Sequence, residues 1–569
     1  MGNITSHVRA LKRRVRRAPA RHNDTVQLPE EKAHSPIATL QRIRPETPTG
    51  VSPSNTISPE LQSGYDAFLH AYPLFTETAA VDELRARDFS RLSRNAVYLD
   101  YMGGGQHPES LIKAYAEILN NDVFGNTHSE SMSSNLSEHY SQEARRAVLS
   151  FFDADPNEYL VVWTANATAG LKLVGESFPF TSGSSLVLPV DAHNSVQGIR
   201  AFAGRAGASV RYVSCLEDGG YDLEEAMSIL NSLPESSKPT GSKSLLALTG
   251  LSNLTNHKAP LEAIVPAAHA RGVYTVLDAA ALAPTTRISL SKIPVDAMVV
   301  SFYKMFGFPT GVGALVGRKS FLDTLQRPWF AGGAVDLVQV PGMIATPAEC
   351  ISSRFEEGTL NYMTLPAVTM GLEILSKYID LLPLRLSSLY HYLYAELSAI
   401  RYAETGTPLV QILSGRPSTP SKSPPPHGYV LAFLLLDKKG EIVPLSRVEA
   451  LAARTDRGNI PAVAPAFKST FKQPESARAF STGPARPASS QDQVFALRTG
   501  CACNPGGAAA LLGIESYMEI LHPGATHRTL ELVVGRELGV VRVSLGWVSN
   551  WSDVAAFIAF VKSVEEIVG

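Results

Sequence analysis

Lys304 stands in SFYKMFGFPTGVGALVG, directly after the apolar run AMVV and ahead of a glycine-rich loop. A lysine held out of water loses its proton readily and can form a Schiff base with a carbonyl. Ser301 and Tyr303 flank it with hydroxyls suited to a phosphate. Taken alone, a solvent-facing loop lysine is the simpler reading. Asp278 ends the run YTVLD. A carboxylate there is costly unless a cation partners it. A protonated pyridine nitrogen would serve, and capping of the next helix is the equal alternative. His193 follows SLVLPV in DAHNS, where an imidazole could stack on a flat ring or be merely structural. TANATAGLKLV turns from a strand into a helix, so its backbone N–H groups and the Thr168 hydroxyl could hold phosphate, or Thr168 could simply cap a turn. In LRTGCACNPGG, Cys503 lies five residues after Arg498 in a glycine-flanked loop. A nearby guanidinium favours the thiolate. One C-x-C without a second ligand cluster argues poorly for zinc, and no metal is expected.

All but the Cys503 loop share a position: each stands at or just after the end of a short apolar run. The runs YLVVW (159–163), SLVLPV (185–190), SLLALTG (244–250), YTVLD (274–278) and AMVVSF (297–302) are separated by helix-like stretches. Apolar runs of that length, spaced by helices, predict an α/β domain whose mainly parallel sheet is covered on both faces. Ligands of such sheets gather at the carboxyl ends of the strands. Farther on, YVLAFLLL (429–436), VVRVSLG (540–546) and an amphipathic SDVAAFIAFVKSVEEIV with Ser552 as N-cap predict a smaller α+β domain. The expected organisation is a basic, Pro/Ser-rich disordered tail over 1–60, a large domain over 61–375 whose first part packs with the small one, and a small domain over 376–569. Low-complexity insertions interrupt the small domain at about 414–428 and 468–493.

Composition narrows the class. The chain has 569 residues, 44% hydrophobic and 18% charged, as in a soluble multi-domain enzyme. A formal net charge of −2 gives no general affinity for nucleic acid. Four cysteines are too few for a disulfide framework and suit a reducing compartment. No apolar run approaches the ~18 residues that a membrane-spanning helix needs. The first 23 residues, however, carry seven Lys or Arg and no acid. MGNITS fits N-myristoylation at Gly2, and RALKRRVRR would supply the second membrane signal. A mitochondrial transit peptide and a solvated basic tail are the competing readings. A cytoplasmic chain with a peripheral membrane contact is expected ahead of a mitochondrial one.

In order, the phosphate turn, His, Asp, Lys and R-x-G-x-x-C resemble the class V aminotransferase superfamily, in its cysteine desulfurase branch. YLDYMGGG (98–105), FGNTHSESMSSNLS (124–137), SFYKMFGFPTGVGAL (301–315), FAGGAV (330–335), RFEEGTLNY (354–362) and LRTGCACN (497–504) make the chain similar to the N-terminal domain of eukaryotic molybdenum cofactor sulfurases. The resemblance covers roughly 85–569 outside the two insertions. It implies the fold type I architecture of pyridoxal-phosphate (PLP) transferases. It implies Lys304 as the Schiff-base lysine and general base, Asp278 against the pyridine nitrogen, and His193 on the ring. It places Ala167, Thr168, Ser301 and Tyr303 at the phosphate and Asn253 near the ring oxygen. Gly358 and Thr359 match a pair that reaches the phosphate across a homodimer interface. Arg542 would clamp the substrate carboxylate with Arg498 close by, and Cys503 would become the persulfide. The implied reaction takes sulfur from L-cysteine, releases alanine and passes the sulfur to an unknown acceptor.

Three departures bear on that reading. Ala281 occupies the place where many desulfurases have a Gln, and Tyr303 the place of a His; the sulfurases share both differences. The chain also stops one helix after VRVSLG, so the cofactor-presenting domain of full-length sulfurases is expected to be missing and the acceptor to be separate. Two other readings remain: another class V reaction, such as β-lyase, decarboxylase or aminotransfer chemistry on a small amino acid, or an inert scaffold. The sequence assigns Cys501 no role.

Overall fold

The apolar runs become strands at nearly their expected limits. The computed structural model describes residues 35–42, 59–93, 96–234, 242–453 and 494–568. Ala96–Tyr98 is β1, and Tyr159–Thr164, Ser185–Pro189, Ser209–Val213, Leu245–Thr249, Tyr274–Asp278, Ala297–Ser301 and Gly313–Arg318 are β2 to β8. Strands β2 to β8 form one sheet in the order β2-β8-β7-β6-β5-β3-β4. From β7 to β4 all neighbours are parallel, whereas β8 is antiparallel to both β2 and β7. The reversal has a simple cause. Only residues 302–312 separate β7 from β8, too few for the crossover of a dozen or more that a parallel return requires.

Successive side chains of a strand point to opposite faces. Along β7, Met298 and Val300 enter one core while Ala297 and Val299 enter another. Along β5, Leu246 and Leu248 go one way and Leu245 and Ala247 the other. Both faces are covered, so both sets are apolar, which is why the runs show no polar alternation. Each such Leu or Val, fully buried, contributes about 1.5–3 kcal/mol.

Helix α1, Pro36–Arg42, lies within the stretch expected as a tail and packs on α2, Glu109–Asn121. Helix α3, Met132–Phe151, and α4, Ala167–Ser177, follow. α4 lies against β7 and β8 so closely that a β-carbon on Gly170 would sit 2.7 Å from Val299 Cγ1. The short α5, Phe302–Phe306, carries Lys304. Helix α6, Leu365–Ser376, packs on α3, and α7 is Leu382–Ala399.

A hairpin of β9, Val335–Val338, and β10, Ala345–Pro347, stands apart. The second sheet is antiparallel: β11 (Val410–Ile412), β12 (Val430–Leu435), β14 (Arg498–Gly500) and β15 (Val540–Ser544), in the order β11-β12-β15-β14. β13, Val494–Ala496, pairs in parallel with β1. Helices α8 (Pro505–Leu512), α9 (Glu515–Glu519) and α10 (His527–Val534) fill the interval before β15, and α11 (Trp551–Val568) closes the described chain. The cap of α11 differs from expectation. Asn550 Oδ1 accepts from the Asp553 N–H at 3.0 Å, and Ser552 lies inside the first turn.

Residues 414–428 form no helix, yet they are tied down: Lys258 Nζ donates to the Pro425 carbonyl at 3.1 Å. The insertion at 468–493, Gly2 and the basic run lie outside the described residues. Among the described residues no helix is long and apolar enough to cross a membrane.

Candidate active site

The carboxyl ends of β3, β5, β6 and β7 deliver His193, Asn253, Asp278 and Lys304 to one region, as the rule for open α/β sheets requires. Burial pushes the Lys304 amine below its ordinary pKa; the Asp278 carboxylate resists this, and the Arg542 and Arg498 charges add to it. Residues 103–105 wrap the lysine's helix. The Gly105 N–H donates to the Tyr303 carbonyl at 2.9 Å, and a β-carbon on Gly105 would meet the Lys304 carbonyl oxygen at 2.9 Å. Asp278 is buried, and its Oδ1 accepts from the Ala280 N–H at 3.0 Å. Its charge also favours protonation of His193. The carboxylate thus makes the local turn and lies near two nitrogen bases, Lys304 and His193.

Burial lowers the His193 pKa, with Lys304 and Arg542 adding to the effect and Asp278 opposing it. Its Nδ1 accepts from the Ser195 N–H at 3.1 Å, which leaves the ring proton on Nε2. At the N-terminus of α4, Asn166 Oδ1 accepts from the Ala169 N–H at 3.0 Å and the Ala167 N–H donates to Ser301 Oγ at 2.8 Å. Thr168 Oγ1 lies 2.8 Å from Ser195 Oγ. Backbone N–H groups and three hydroxyls therefore meet at the positive end of a helix, a ready anion site. Tyr303 lies close by; burial raises its pKa and the Arg498 charge opposes the rise.

The Cys503 loop is pinned to this region. The Asn194 N–H, next to His193, donates to the Cys503 carbonyl at 2.7 Å, and Asn253 Nδ2 donates to the Ala502 carbonyl at 2.7 Å. Ala502 and Cys503 are both left-handed, at φ +49° and +59°, so the bonds hold a strained turn. The Cys503 thiol is exposed. Asn504 anchors the loop from beneath, donating to Asp191 Oδ1 at 2.6 Å. Asp191 also accepts from the Gly220 N–H and from the hydroxyls of Ser252 and Thr255.

Arg542 and Arg498 converge on Asp100. Arg542 Nη2 donates to Asp100 Oδ1 at 2.5 Å, and Arg498 Nη2 and Nε donate to Asp100 Oδ2 at 3.0 and 3.1 Å. Arg542 is buried, with Nη1 on the Asn253 carbonyl at 3.0 Å, and its Nε–H has no partner among the described residues. Neither Gly358 nor Thr359 lines the cavity beside Lys304. Thr359 is exposed, accepts from Asn126 Nδ2 at 3.3 Å and lines a separate surface cleft. The small cavity beside Lys304 is lined instead by Tyr101, Ala281, Thr285, Tyr429 and Trp547. Among the described residues no group of His, Cys, Asp and Glu is arranged to hold a metal ion.

Residues 97–412 match the model of the aminotransferase class-V family. The chain belongs to the class-V aminotransferase family. It is 30% identical over 499 residues to the molybdenum cofactor sulfurase of Bos taurus, covering 84% of this chain and 51% of that protein. It is 27% identical over 514 residues to the one from Arabidopsis thaliana, covering 85% and 58%. The chain thus spans about half the length of the curated relatives it matches. Among solved structures, the cysteine desulfurase of Thermococcus onnurineus superposes with a TM-score of 0.62 at 20% identity, over 86% of this chain and 98% of that one. One from Escherichia coli gives 0.61 at 20% identity, over 86% and 99%. These share the fold.

The class-V cofactor is pyridoxal 5′-phosphate, and the donor set fits it. A lysine of lowered pKa, a buried carboxylate, an imidazole of lowered pKa and a hydroxyl-lined helix N-terminus stand together. Sequence reading passed over Asp100, Asp191, Ser195 and Asn504. Ser195 was signalled by its place two after His193, and Asp100 by the glycine run that follows it; Asp191 and Asn504 carried no local signal.

Proposed function

We propose that the chain is a PLP-dependent cysteine desulfurase of the molybdenum cofactor sulfurase kind. One observation carries the reading: an exposed cysteine is held by its own backbone carbonyl to Asn194, the residue beside His193. When bound, the cofactor supplies a carbonyl carbon for an amine and an electron-withdrawing ring for charge at the substrate α-carbon. Lys304 would hold it, with Asp278 at the ring nitrogen, His193 on the ring, Asn253 by the ring oxygen, and Ala167, Thr168, Ser301 and Tyr303 at the phosphate. Arg542, with Arg498 across the sheet from it, would take the substrate carboxylate through donors now shared with Asp100. Lys304, its pKa lowered, removes the α-proton as general base.

The Cys503 thiolate then attacks the substrate sulfur. An S–S bond forms as the Cβ–S bond breaks; the bonding pair stays with the β-carbon, which takes a proton, Lys304 returns a proton to the α-carbon, and alanine leaves. Gly358 and Thr359 would complete the phosphate site from a second copy. The exposed apolar hairpin supports such a homodimer: Leu337, Val340, Met343 and Ile344 face solvent, Met343 at 98% exposure.

The apolar cavity beside Lys304, opened by Ala281, favours a second reading, a class-V β-lyase acting on cysteine or a related small amino acid. Product analysis separates the two. PLP-loaded protein given L-cysteine and a reducing thiol yields alanine and sulfide under the first reading. Pyruvate and ammonia, with full turnover by Cys503→Ala, would establish the second.

A further inference from the structure

Beside the Cys503 loop stands a second thiol with its own base. Cys501 Sγ lies 3.8 Å from His527 Nε2, and His527 Nδ1 lies 3.5 Å from Glu531 Oε1 one helical turn on. The start of α10 is fixed by a capping box, with Thr526 Oγ1 accepting from the Thr529 N–H at 3.1 Å and Thr529 Oγ1 accepting from the Thr526 N–H at 3.4 Å. His527, the first residue of the helix, is therefore held in place. Nucleophile, base and orienting carboxylate stand in the order that activates a thiol. Burial raises the Cys501 pKa, and the neighbouring Cys503 and Glu531 charges raise it further. Such a thiol stays protonated at rest and needs the base. Cys501 also lines an apolar groove of about 220 Å³ with Ala508, Leu512, Met518, Leu521 and Leu530, whereas Cys503 is exposed.

We infer that Cys501, His527 and Glu531 form a sulfur relay site that takes the sulfane sulfur from a Cys503 persulfide; this rests on the desulfurase reading above. Cys501 lies two residues away across the left-handed turn. His527 Nε2 accepts the Cys501 proton, and Glu531 holds the resulting imidazolium. The Cys501 thiolate attacks the terminal sulfur of the Cys503 persulfide. One S–S bond forms, the S–S bond to Cys503 breaks, and Cys503 leaves as thiolate. No oxidant or reductant is consumed. The transferable sulfur then resides at the apolar groove that Cys501 lines.

The test is one turnover of PLP-loaded protein with L-cysteine, followed by rapid alkylation. Fragmentation of the peptide that begins at Thr499 then locates the extra sulfur, and alanine is measured in the same sample. The relay predicts sulfane sulfur mainly on Cys501 in the wild type and on Cys503 in His527→Gln and Cys501→Ser. Alanine formed with the sulfur on Cys503 alone in the wild type would overturn the relay and leave the desulfurase reading standing. No alanine at all would remove both. A second measurement avoids turnover. In a Cys503→Ser background, His527→Gln should slow iodoacetamide alkylation of Cys501 at least fivefold at pH 7.5, and an unchanged rate contradicts the assignment of His527 as base.

Discussion

Lys304, Asp278 and Asp100 carry the strongest expectations for single residues. The Lys304 amine is held below its ordinary pKa by burial, while the Asp278 charge resists the shift. The bimolecular rate at which apoprotein takes up PLP should therefore rise with pH with a midpoint below 10.4, the ordinary lysine value. Asp278→Asn removes a negative charge that favours the protonated amine, so the midpoint should fall further; a rise would contradict the electrostatics. Asp100 answers two guanidinium groups. Asp100→Ala leaves Arg542 buried without its carboxylate, at a cost of about 3–5 kcal/mol. The midpoint of urea unfolding should drop accordingly. A shift near zero would mean that Arg542 finds another partner. Much of this residue-level wiring was illegible in the sequence for a physical reason. Arg542 and Asp100 are 442 positions apart, and Asn504 and Asp191 are 313 apart. Spacing along the chain says nothing about pairs that only the finished fold brings together, whereas Lys304, Asp278 and His193 were visible because each directly follows an apolar run.

Among the elements, the strands were legible because a sheet buried on both faces leaves near-continuous apolar runs. The direction of β8 was not, because GVGAL reads the same either way and only the short connection decides it. Helix α4 was visible through its turn of small residues, and the packing explains them. With a β-carbon on Gly170 reaching 2.7 Å from Val299 Cγ1, Gly170→Val must push α4 off the sheet. Overpacking of this kind costs about 1–3 kcal/mol. It should lower the thermal midpoint and, because α4 presents Ala167 and Thr168, weaken cofactor retention more than a surface substitution of equal size. Unaltered stability would show that the helix can move freely.

For the whole molecule, the unpaired features point to a second copy. Neither Gly358 nor Thr359 lines the cavity beside Lys304 in one chain, and the β9–β10 hairpin exposes Leu337, Val340, Met343 and Ile344. Light scattering should give a dimer. The double substitution Leu337→Asp and Met343→Asp should yield a monomer that loses PLP on gel filtration. A monomeric wild type that keeps its cofactor would leave Thr359 without the role expected of it. The fold type I architecture was read from pattern and resemblance together; the antiparallel order of the second sheet was not. The tie between residues 414–428 and Lys258 was not, because Pro- and Ser-rich composition reports only the lack of regular structure.

The central claim is that Cys503 takes sulfur within the Lys304 site, and a single-turnover assay tests it most directly. PLP-loaded protein is mixed with one equivalent of L-cysteine per site and no other thiol, and alanine is counted per active site. About one alanine per site is predicted from the wild type, with none from Cys503→Ala or Lys304→Ala. Alanine formation by Cys503→Ala, or none from the wild type with Lys304 bonded to PLP, would contradict the account.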